Sequence, residues 1–473
     1  MSTVQRLAKN IGILTAAQII TYILGFYITL LTARYLGVEG LGIIAAALAL
    51  TSILGAFGDL GLSTLLVREV SRDNSLLNKY LSNILVLKIL LILLVVGLTF
   101  IAVFLKEYDQ IKTTVIYIII FSVIIGGFTG VLNAVFQSHQ KMEYLSIGII
   151  LNSVLMLIGT FLCIFYGLNI VYFAILYVIS NVLVFLYTLI IYVWHFSAPK
   201  FEFDLIFSKK LILLALPLSL ASIFALIAFK IDIYMLDAIM GSISAGYYSA
   251  SYNLLQVFIF LPIIYTTAIF PVFSSFHVSS MDSLKYSYHK SFKYLMILSL
   301  PISVGTTILA NQIIILVYKN TFEPSIYVLQ ILIWAIPFLF LNYILSTILT
   351  AMDKQNLLLK ITFISMIFNI LLNLLIIPTF NYLGAALVTI LTEFLVFGIM
   401  FYIINKIFFI IHLRDSIMKP IIASIIMGVF LILVKSNLFI MILLGAIVYF
   451  IVLFALKTFD ADDFDIIKLI LNR

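Results

Sequence analysis

The residues best suited to do chemistry in this chain are charged side chains inside long apolar stretches. An ionisable group in such a stretch is costly unless it has a partner or a task, so each one is a functional candidate. Glu393 lies near the middle of the apolar stretch 382–405, which also contains Thr389 and Thr392. A carboxylate at that depth could bind a proton or a sodium ion during a transport cycle. Asp59 is a second ion-coupling candidate, with a polar role at a helix end as the alternative.

A second group of charges surrounds Lys230, which follows about 19 residues of one apolar stretch. Lys230 and Asp237 are seven residues apart and so share a helix face, whereas Asp232 points to another side. We expect one acid to neutralise the lysine and the other to face a cavity. Asp232 and Asp237 are therefore ion-coupling candidates, with a structural ion pair as the alternative.

These charges must be positioned by membrane-spanning helices. Hydrophobic residues make up 64% of the chain and charged residues 10%, and the mean hydropathy is +1.25. The apolar stretches are each long enough to cross a bilayer, and their backbone must be satisfied internally, so we predict an all-α integral membrane protein with about 14 transmembrane helices. They lie near residues 11–33, 41–62, 83–105, 113–136, 144–166, 170–194, 211–235, 246–274, 292–316, 326–351, 358–377, 382–405, 417–434 and 437–456.

The basic residues predict the orientation of these helices. With the N-terminus inside, about twenty of the 27 Lys and Arg residues fall on the cytoplasmic side. The sequence thus predicts a multi-pass protein of the cytoplasmic membrane with both termini cytoplasmic. The formal charge of +7 is explained in the same way, and nucleic-acid binding is not expected.

A sequence repeat predicts how the helices are grouped. Residues 37–46 (GVEGLGIIAA) are echoed by residues 241–250 (GSISAGYYSA), with Gly37 matched to Gly241 and Gly42 to Gly246. Six spans separate the copies, which indicates parallel repeats about an axis along the membrane normal. The predicted parts are an N-terminal lobe, a cytoplasmic linker, a C-terminal lobe, and two further spans with a short cytoplasmic tail: 1–194, 195–210, 211–405 and 406–473.

The sequence lacks the motifs of several functional classes. The single cysteine excludes a disulfide framework, and no histidines have metal-ligand spacing. No phosphate-binding loop followed by Lys-Ser/Thr is present, so ATP is not the direct energy source. We therefore expect no cofactor and no metal centre. Because no stretch is long enough for a soluble catalytic domain, transport is favoured over enzymatic activity.

Five segments of the sequence resemble the polysaccharide-transport flippases, the Wzx-type members of the multidrug/oligosaccharidyl-lipid/polysaccharide (MOP) exporter superfamily. They are residues 7–12 (LAKNIG), 33–42 (ARYLGVEGLG), 58–62 (GDLGL), 67–72 (VREVSR) and 246–251 (GYYSAS). The resemblance covers the first twelve spans. It implies a MATE-like two-lobed bundle with a pseudo-two-fold repeat and two extra C-terminal helices. The implied activity is to flip a lipid-linked oligosaccharide by alternating access, with membrane lipids and polysaccharide-assembly enzymes as partners.

The resemblance also implies a cationic cavity. A polyprenyl phosphate or diphosphate that crosses a region of low dielectric constant needs cationic partners. The candidate phosphate-binding residues are Arg34, Arg68, Lys88 and Lys230. Arginine suits this task because its planar fork binds two phosphate oxygens, whereas lysine supplies a point charge. For Arg34 and Arg68, anchoring at the membrane interface is the alternative.

Three other functions remain open at this point. The first is a MATE-like ion-coupled drug or cation antiporter, which would need a smaller and more acidic cavity. The second is a membrane polymerase or ligase of polysaccharides, which would need a large external loop. The third is a structural scaffold, for which buried Glu393 and Lys230 would be an unexplained cost. Candidate coupling ions for a transporter are H⁺ and Na⁺.

Overall fold

The computed structural model describes residues 3–196, 202–408, 414–434, 436–460 and 463. These residues form α-helices and two short 3₁₀ turns, and none of them forms a β-strand. The all-α prediction is confirmed. The helices are α1 (Thr3–Phe57), α2 (Leu62–Arg72), α3 (Leu77–Lys106), α4 (Gln110–Ser138), α5 (Met142–Phe165), α6 (Ile170–His195), α7 (Leu205–Met240), α8 (Ser242–Ser279), α9 (Met281–Tyr318), α10 (Ser325–Leu332), α11 (Ala335–Ala351), α12 (Gln355–Phe408), α13 (Arg414–Leu433) and α14 (Leu438–Ala455).

Two of these helices are each long enough for two membrane passes. At 1.5 Å per residue α1 would extend about 80 Å, more than twice the apolar thickness of a bilayer. Each is broken by a residue with a non-helical backbone, Gly37 in α1 (φ 72°, ψ −170°) and Asn381 in α12 (φ 52°, ψ −137°). These breaks separate the predicted spans 11–33 and 41–62, and 358–377 and 382–405.

The number of membrane passes agrees with the prediction. Among the described residues, nine helices are long and apolar enough to cross a membrane, and the number rises to 11 if two bent pairs are each one span. The bent pairs are α7, which turns by 55° at Pro217, and α10 with α11, which meet at 41°. With α1 and α12 counted twice, and with the shorter apolar helix Ile417–Leu433, the total is about 14.

The first compact unit comprises Met1–Asn253 and Thr362–Ala385. Its main core lies where α2, α3, α4, α6 and α7 meet, and fully buried members include Leu65, Ile84, Val135 and Leu211. A second cluster joins α1, α4 and α6. These packed helices surround the cavity described below. We call this part unit 1.

Unit 1 also holds the described end of the predicted linker. Asn83 of α3 is fully buried and donates to the Glu202 carbonyl at 3.0 Å. Its Oδ1 accepts from the Asp204 backbone N–H at 2.8 Å and from the Ser208 hydroxyl at 2.9 Å. Asp204 in turn caps α7 by accepting from the Phe207 backbone N–H. The start of α7 is thereby fixed to α3, while linker residues 197–201 lie outside the described residues.

The second compact unit comprises Leu254–Ile361 and Ala386–Arg473, and we call it unit 2. Helix α9 packs against α11, α13 and α14, with Met427, Leu431 and Tyr449 in the core. The Tyr449 hydroxyl donates to the Ile297 carbonyl at 2.8 Å, which ties α14 to α9. Tail residues 464–473 lie outside the described residues. The lobes 1–194 and 211–405 were inferred from the sequence repeat, and they stay a prediction.

Candidate functional site

A cavity of about 550 Å³ opens inside unit 1 among α1, α2, α3, α4 and α6. Most of its wall is apolar, and five glycines leave room beside it, one on α1, one in the turn that follows α1 and three on α4. Its polar side chains are Asp59, Ser63, Lys88, Ser122, Tyr177 and Asn181. A mainly apolar pocket with a few convergent polar groups is the usual form of a ligand site.

A lysine–aspartate pair forms the charged side of this cavity. Lys88 Nζ lies 2.7 Å from Asp59 Oδ1, and the Ser63 hydroxyl donates to the same oxygen at 2.6 Å. The Lys88 side chain is 3% exposed and that of Asp59 is 32% exposed. Asp59 follows the end of α1 in a turn that includes Gly61 with φ 82°. The pair therefore holds a cation at a wall that a ligand can reach.

Small residues make space for the lysine. A Cβ at Gly127 would lie 3.0 Å from Lys88 Cε and 3.6 Å from its Nζ. The glycine on α4 thus allows the buried lysine to lie against the α4 backbone. A side chain at position 127 would crowd Lys88 Cε, so the lysine would have to shift to make room for it.

Uncharged polar groups lie on another part of the wall. Asn181 of α6 donates to the Ser122 hydroxyl at 2.7 Å and to the Tyr177 carbonyl at 3.0 Å. The Ser122 hydroxyl in turn donates to the Tyr177 carbonyl at 3.0 Å. Asn181 thus lines the cavity and also joins α6 to α4. One cavity thus combines a cation with amide and hydroxyl groups that can bind sugar hydroxyls.

Asp232 lies in a second buried polar cluster of unit 1. One of its carboxylate oxygens accepts from Asn373 Nδ2 at 2.6 Å, and the other accepts from the Tyr248 hydroxyl at 3.1 Å. Asn373 also donates to Asn369 Oδ1 at 3.0 Å. All four residues are buried.

The cluster has a spare acceptor. Asn373 Oδ1 is buried and forms no hydrogen bond with any described residue. Carboxylate and amide oxygens are the ligands that hard cations prefer. Among the described residues no group of three His, Cys, Asp or Glu side chains could hold a metal ion. A buried carboxylate and a buried amide oxygen with no described hydrogen-bond partner thus lie together in this cluster.

Asp232 or Asp237 was expected to neutralise Lys230, but neither forms an ion pair with it in the structure. Asp237 instead binds Lys112 at the start of α4, with Nζ 2.5 Å from Oδ2, and accepts from the Ser242 hydroxyl at 2.8 Å. Lys230 is half-buried, with Nζ 5.4 Å from the Phe229 ring centroid. No described carboxylate lies within ion-pair distance of Lys230. Although Lys230 and Asp237 share a face of α7, Asp237 pairs with Lys112, which approaches it from another helix.

The two candidate arginines do not line the cavity. Arg34 is exposed on α1, three residues before the break at Gly37. Arg68 lies near the end of α2, with Nε 2.7 Å from Glu69 Oε1, and its side chain is 37% exposed. Lys88 is thus the candidate phosphate-binding residue that the structure places in a cavity wall.

Glu393 has an amide partner within unit 2. Asn342 of α11 donates to Glu393 Oε2 at 2.7 Å and to the Glu393 carbonyl at 3.0 Å. The Asn342 Oδ1 atom is buried without a hydrogen-bond partner among the described residues. The carboxylate is therefore held in place by a neutral donor of a neighbouring helix.

Sequence reasoning missed a charged cluster in unit 2. Lys290 and Lys293 of α9 lie 2.8 and 2.6 Å from the two carboxylate oxygens of Asp463, and the Tyr294 hydroxyl donates to Asp463 at 2.6 Å. Burial raises the pKa of Asp463, but hydrogen bonds from Lys290, Lys293 and Tyr294 outweigh it and hold that pKa below its usual value. Asp460 also pairs with Lys290. No sequence signal links residues 170 positions apart.

Comparison with known proteins gives two family matches, which together cover residues 7–375. A family model described as "Polysaccharide biosynthesis protein" matches residues 7–277, which is more than half of the chain. A second model, described as MatE, matches residues 217–375.

Two relatives match the sequence. Capsular polysaccharide biosynthesis protein CapF of Staphylococcus aureus is 22% identical over 412 residues, which are 85% of this chain and 100% of CapF. An uncharacterized membrane protein of Methanocaldococcus jannaschii is 29% identical over 124 residues, which are 26% of this chain and 24% of that protein. The chain thus spans about a quarter of the length of the archaeal relative and all of CapF.

Solved structures share the fold. The lipid II flippase MurJ in an inward closed conformation has a TM-score of 0.75 at 18% identity, covering 93% of this chain and 97% of MurJ. An inward-facing MATE multidrug transporter of the MOP superfamily has a TM-score of 0.67 at 14% identity, covering 82% and 94%. The predicted MATE-like helical architecture is confirmed.

Proposed function

The chain belongs to the polysaccharide biosynthesis protein family of the MOP superfamily, and we propose that it flips a polyprenyl-(di)phosphate-linked oligosaccharide across the cytoplasmic membrane by alternating access. Membership of this family indicates a flippase-like membrane transporter. The substrate is the part that we propose. The non-enzymatic role, the H⁺ or Na⁺ coupling and an association with polysaccharide-assembly enzymes belong to the same proposal.

The observation that carries the proposal is the Lys88–Asp59 pair at the wall of the unit 1 cavity. A phosphate oxygen can take the place of the Asp59 carboxylate on Lys88, so that the cation exchanges one anionic partner for another. Lys88 and the phosphate are then paired at membrane depth, where an unpaired charge is costly, and the displaced Asp59 carboxylate is the more exposed member of the pair and can keep its hydrogen bond from Ser63. Asn181 and Ser122 would bind sugar hydroxyls next to the phosphate.

Lys230 is a second contact that we propose for the phosphate. It lies on α7 in unit 1 without a described carboxylate at ion-pair distance. Its charge would therefore be better satisfied when an anionic headgroup is present. In the predicted topology Arg68 lies near the cytoplasmic surface and Arg34 near the outer surface, so they suit the entry and the exit of the headgroup, because arginines at the membrane surface can attract it.

We place ion coupling at Asp232. Its carboxylate, the Asn369 and Asn373 amide oxygens and the Tyr248 hydroxyl form a compact set of oxygens. Binding of H⁺ or Na⁺ would neutralise Asp232 and change its hydrogen bonds to α8 and α12. A gradient of that ion could thereby bias two conformations of the transporter.

The charge of the unit 1 cavity argues against a drug or cation antiporter. A cationic drug would be repelled by Lys88, and the carboxylate that could attract it is already paired. The family match over residues 7–277 and the likeness to CapF also favour polysaccharide export. The MatE match to residues 217–375 fits the fold that the superfamily shares.

The experiment that tests this function uses the purified chain in liposomes with a fluorescent lipid-linked oligosaccharide. Transport is measured as protection of the label from an external reagent, with and without an imposed H⁺ or Na⁺ gradient. We expect flipping of the oligosaccharide lipid and no gradient-driven export of cationic dyes. Dye export without lipid flipping would establish the antiporter instead.

A further inference from the structure

Two repeated glycines in unit 1 bring two helices into backbone contact. A Cβ at Gly42 would lie 1.8 Å from the Ser242 carbonyl oxygen, and a Cβ at Gly246 would lie 2.1 Å from the Val38 carbonyl oxygen. Val38 and Ser242, like Gly42 and Gly246, are equivalent positions of the repeat. The contact is therefore reciprocal: each repeat presents its glycine to the carbonyl of the other. We call these four residues the glycine seam.

The backbone before the seam is the same in both repeats. Gly37 has φ 72° and ψ −170°, and Gly241 has φ 89° and ψ 170°. Positive φ at these positions favours glycine, because a Cβ would be strained there. Each glycine redirects the chain just before the seam, so that the start of the following helix can meet its counterpart.

An ion pair lies beside the seam. Lys112 and Asp237 have side chains that are 7% and 1% exposed, and Lys112 also lies 3.3 Å from the Ser242 hydroxyl. Lys106, at the end of α3, donates to the Ala238 carbonyl at 3.2 Å. Lys106 and Lys112 thus hold residues 237–242, at the start of the second copy of the repeat.

We propose that the glycine seam is the gate on the outward side and that the Lys112–Asp237 pair is its lock. This inference rests on the alternating access proposed above, and on the topology proposed from the basic residues. A transporter that opens outward at the seam must separate the paired glycines and break the ion pair. The seam can reform without distortion because no side chain lies between the two backbones.

The lock is specific to the closed state. While the seam is closed, each buried charge needs the other, and removal of one partner leaves the other uncompensated. Once the seam opens, water can solvate both charges. Loss of one partner should therefore destabilise the closed state more than the open state and shift the population toward opening.

The test measures access to the seam in the full chain, without substrate. Cys163→Ser removes the single cysteine, and Ser244→Cys places a reporter thiol at a buried position at the start of α8. The rate of labelling by a membrane-impermeant maleimide applied from outside is recorded. Glu107→Gln, an exposed charge at the same end of α3, is the matched control.

We expect Asp237→Asn to raise the labelling rate roughly tenfold. The exchanged pair Lys112→Asp with Asp237→Lys should return the rate to within about twofold of the parent, because the ion pair is restored. Glu107→Gln should leave the rate unchanged. A parent-like rate in folded Asp237→Asn, or labelling from the cytoplasmic side alone, would overturn the proposal.

Gly42→Ala is an independent test of the gate, and it can be used if Asp237→Asn does not fold. A methyl group directed at the Ser242 carbonyl should wedge the seam and also raise labelling. Unchanged labelling in this variant would overturn the gate. Because labelling needs no substrate, faster labelling together with no lipid flipping by the parent would uphold the gate and refute the proposed function. Normal flipping with unchanged labelling would refute the gate alone.

Discussion

Two lysine–aspartate pairs in unit 1 have similar lengths but different surroundings. Lys88 and Asp59 lie 2.7 Å apart beside a cavity, and the Asp59 side chain is 32% exposed. Lys112 and Asp237 lie 2.5 Å apart, and both side chains are almost completely buried. A ligand can compete for the first lysine while the protein keeps its shape. The second lysine can lose its partner only when the helices separate.

The difference shows that access to a buried ion pair, as well as its geometry, indicates what it can do. An accessible pair can bind a ligand by exchanging one anion for another. An inaccessible pair reports on a conformation, because its charges are satisfied in one state only. We therefore propose substrate recognition for Lys88 and gating for Lys112.

The largest effect should come from removing the accessible lysine. Lys88→Gln is expected to lower the flipping rate in liposomes about 100-fold, since the phosphate loses its cation and Asp59 is left unpaired. The double variant Lys88→Gln with Asp59→Asn removes both charges and controls for misfolding. Lys79→Gln changes an exposed lysine on the same helix and should have little effect. Parent-like flipping by the folded double variant would exclude Lys88 as the phosphate contact.

A smaller loss is expected at the oxygen cluster around Asp232. Asp232→Asn keeps the size of the side chain but removes the charge that would bind H⁺ or Na⁺. The response of flipping to an imposed gradient should fall about tenfold, while flipping without a gradient continues. The measurement is the ratio of rates with and without the gradient. An undiminished ratio would place coupling elsewhere.

Asp59→Asn should strengthen the binding of the substrate. It removes the anion that competes with the substrate for Lys88, so substrate affinity should rise about fivefold. Glu107→Gln provides the comparison, because Glu107 is exposed and does not line the cavity. Binding can be followed by quenching of a fluorescent lipid-linked oligosaccharide. Weaker binding to Asp59→Asn would mean that Asp59 itself contacts the substrate.

Glu393→Gln tests the sequence-based hypothesis of ion coupling in unit 2. Its partner Asn342 donates one hydrogen bond that a glutamine oxygen can also accept. We expect folding to be preserved and the gradient response to stay within about twofold of the parent. Loss of the response together with normal folding would make Glu393 the coupling residue.

The smallest effect concerns stability rather than transport. Asp463→Asn weakens the cluster with Lys290 and Lys293 and should lower the melting temperature in detergent by about 2–4 °C. Asp460→Asn, at a more exposed carboxylate, should have less effect. Because the pKa of Asp463 is lowered in the folded protein, its contribution is present above its usual value of 3.8 and is lost as the pH falls through the lowered value. The difference from the parent should thus be constant between about pH 5 and 8.

The sequence predicted the helices well because each must supply a long apolar stretch, and this is a local property. It also marked Gly37 and Gly241 through the repeat, and both have positive φ. Contacts between residues of different helices were harder to predict. Lys88 and Asp59 were assigned to phosphate binding and ion coupling separately, although they form one pair across 29 residues.

The partner of Asp237 shows why contacts between helices are hard to predict from the sequence. Lys112 lies 125 residues away on another helix, and no periodicity within one helix can indicate such a contact. The same holds for Asn373, which lies 141 residues from its partner Asp232. Local patterns identify which residues are costly to bury, but tertiary packing decides which of them meet.

The central claim is that the unit 1 cavity recognises a lipid-linked phosphate through Lys88. The most direct measurement compares flipping of two fluorescent lipids with the same oligosaccharide, one with a phosphate linkage and one with a neutral linkage. The parent protein should flip the phosphate-linked lipid at least about tenfold faster, and the double variant Lys88→Gln with Asp59→Asn should lose this preference. Equal rates for the two lipids with the parent, or an unchanged preference in the double variant, would contradict the account.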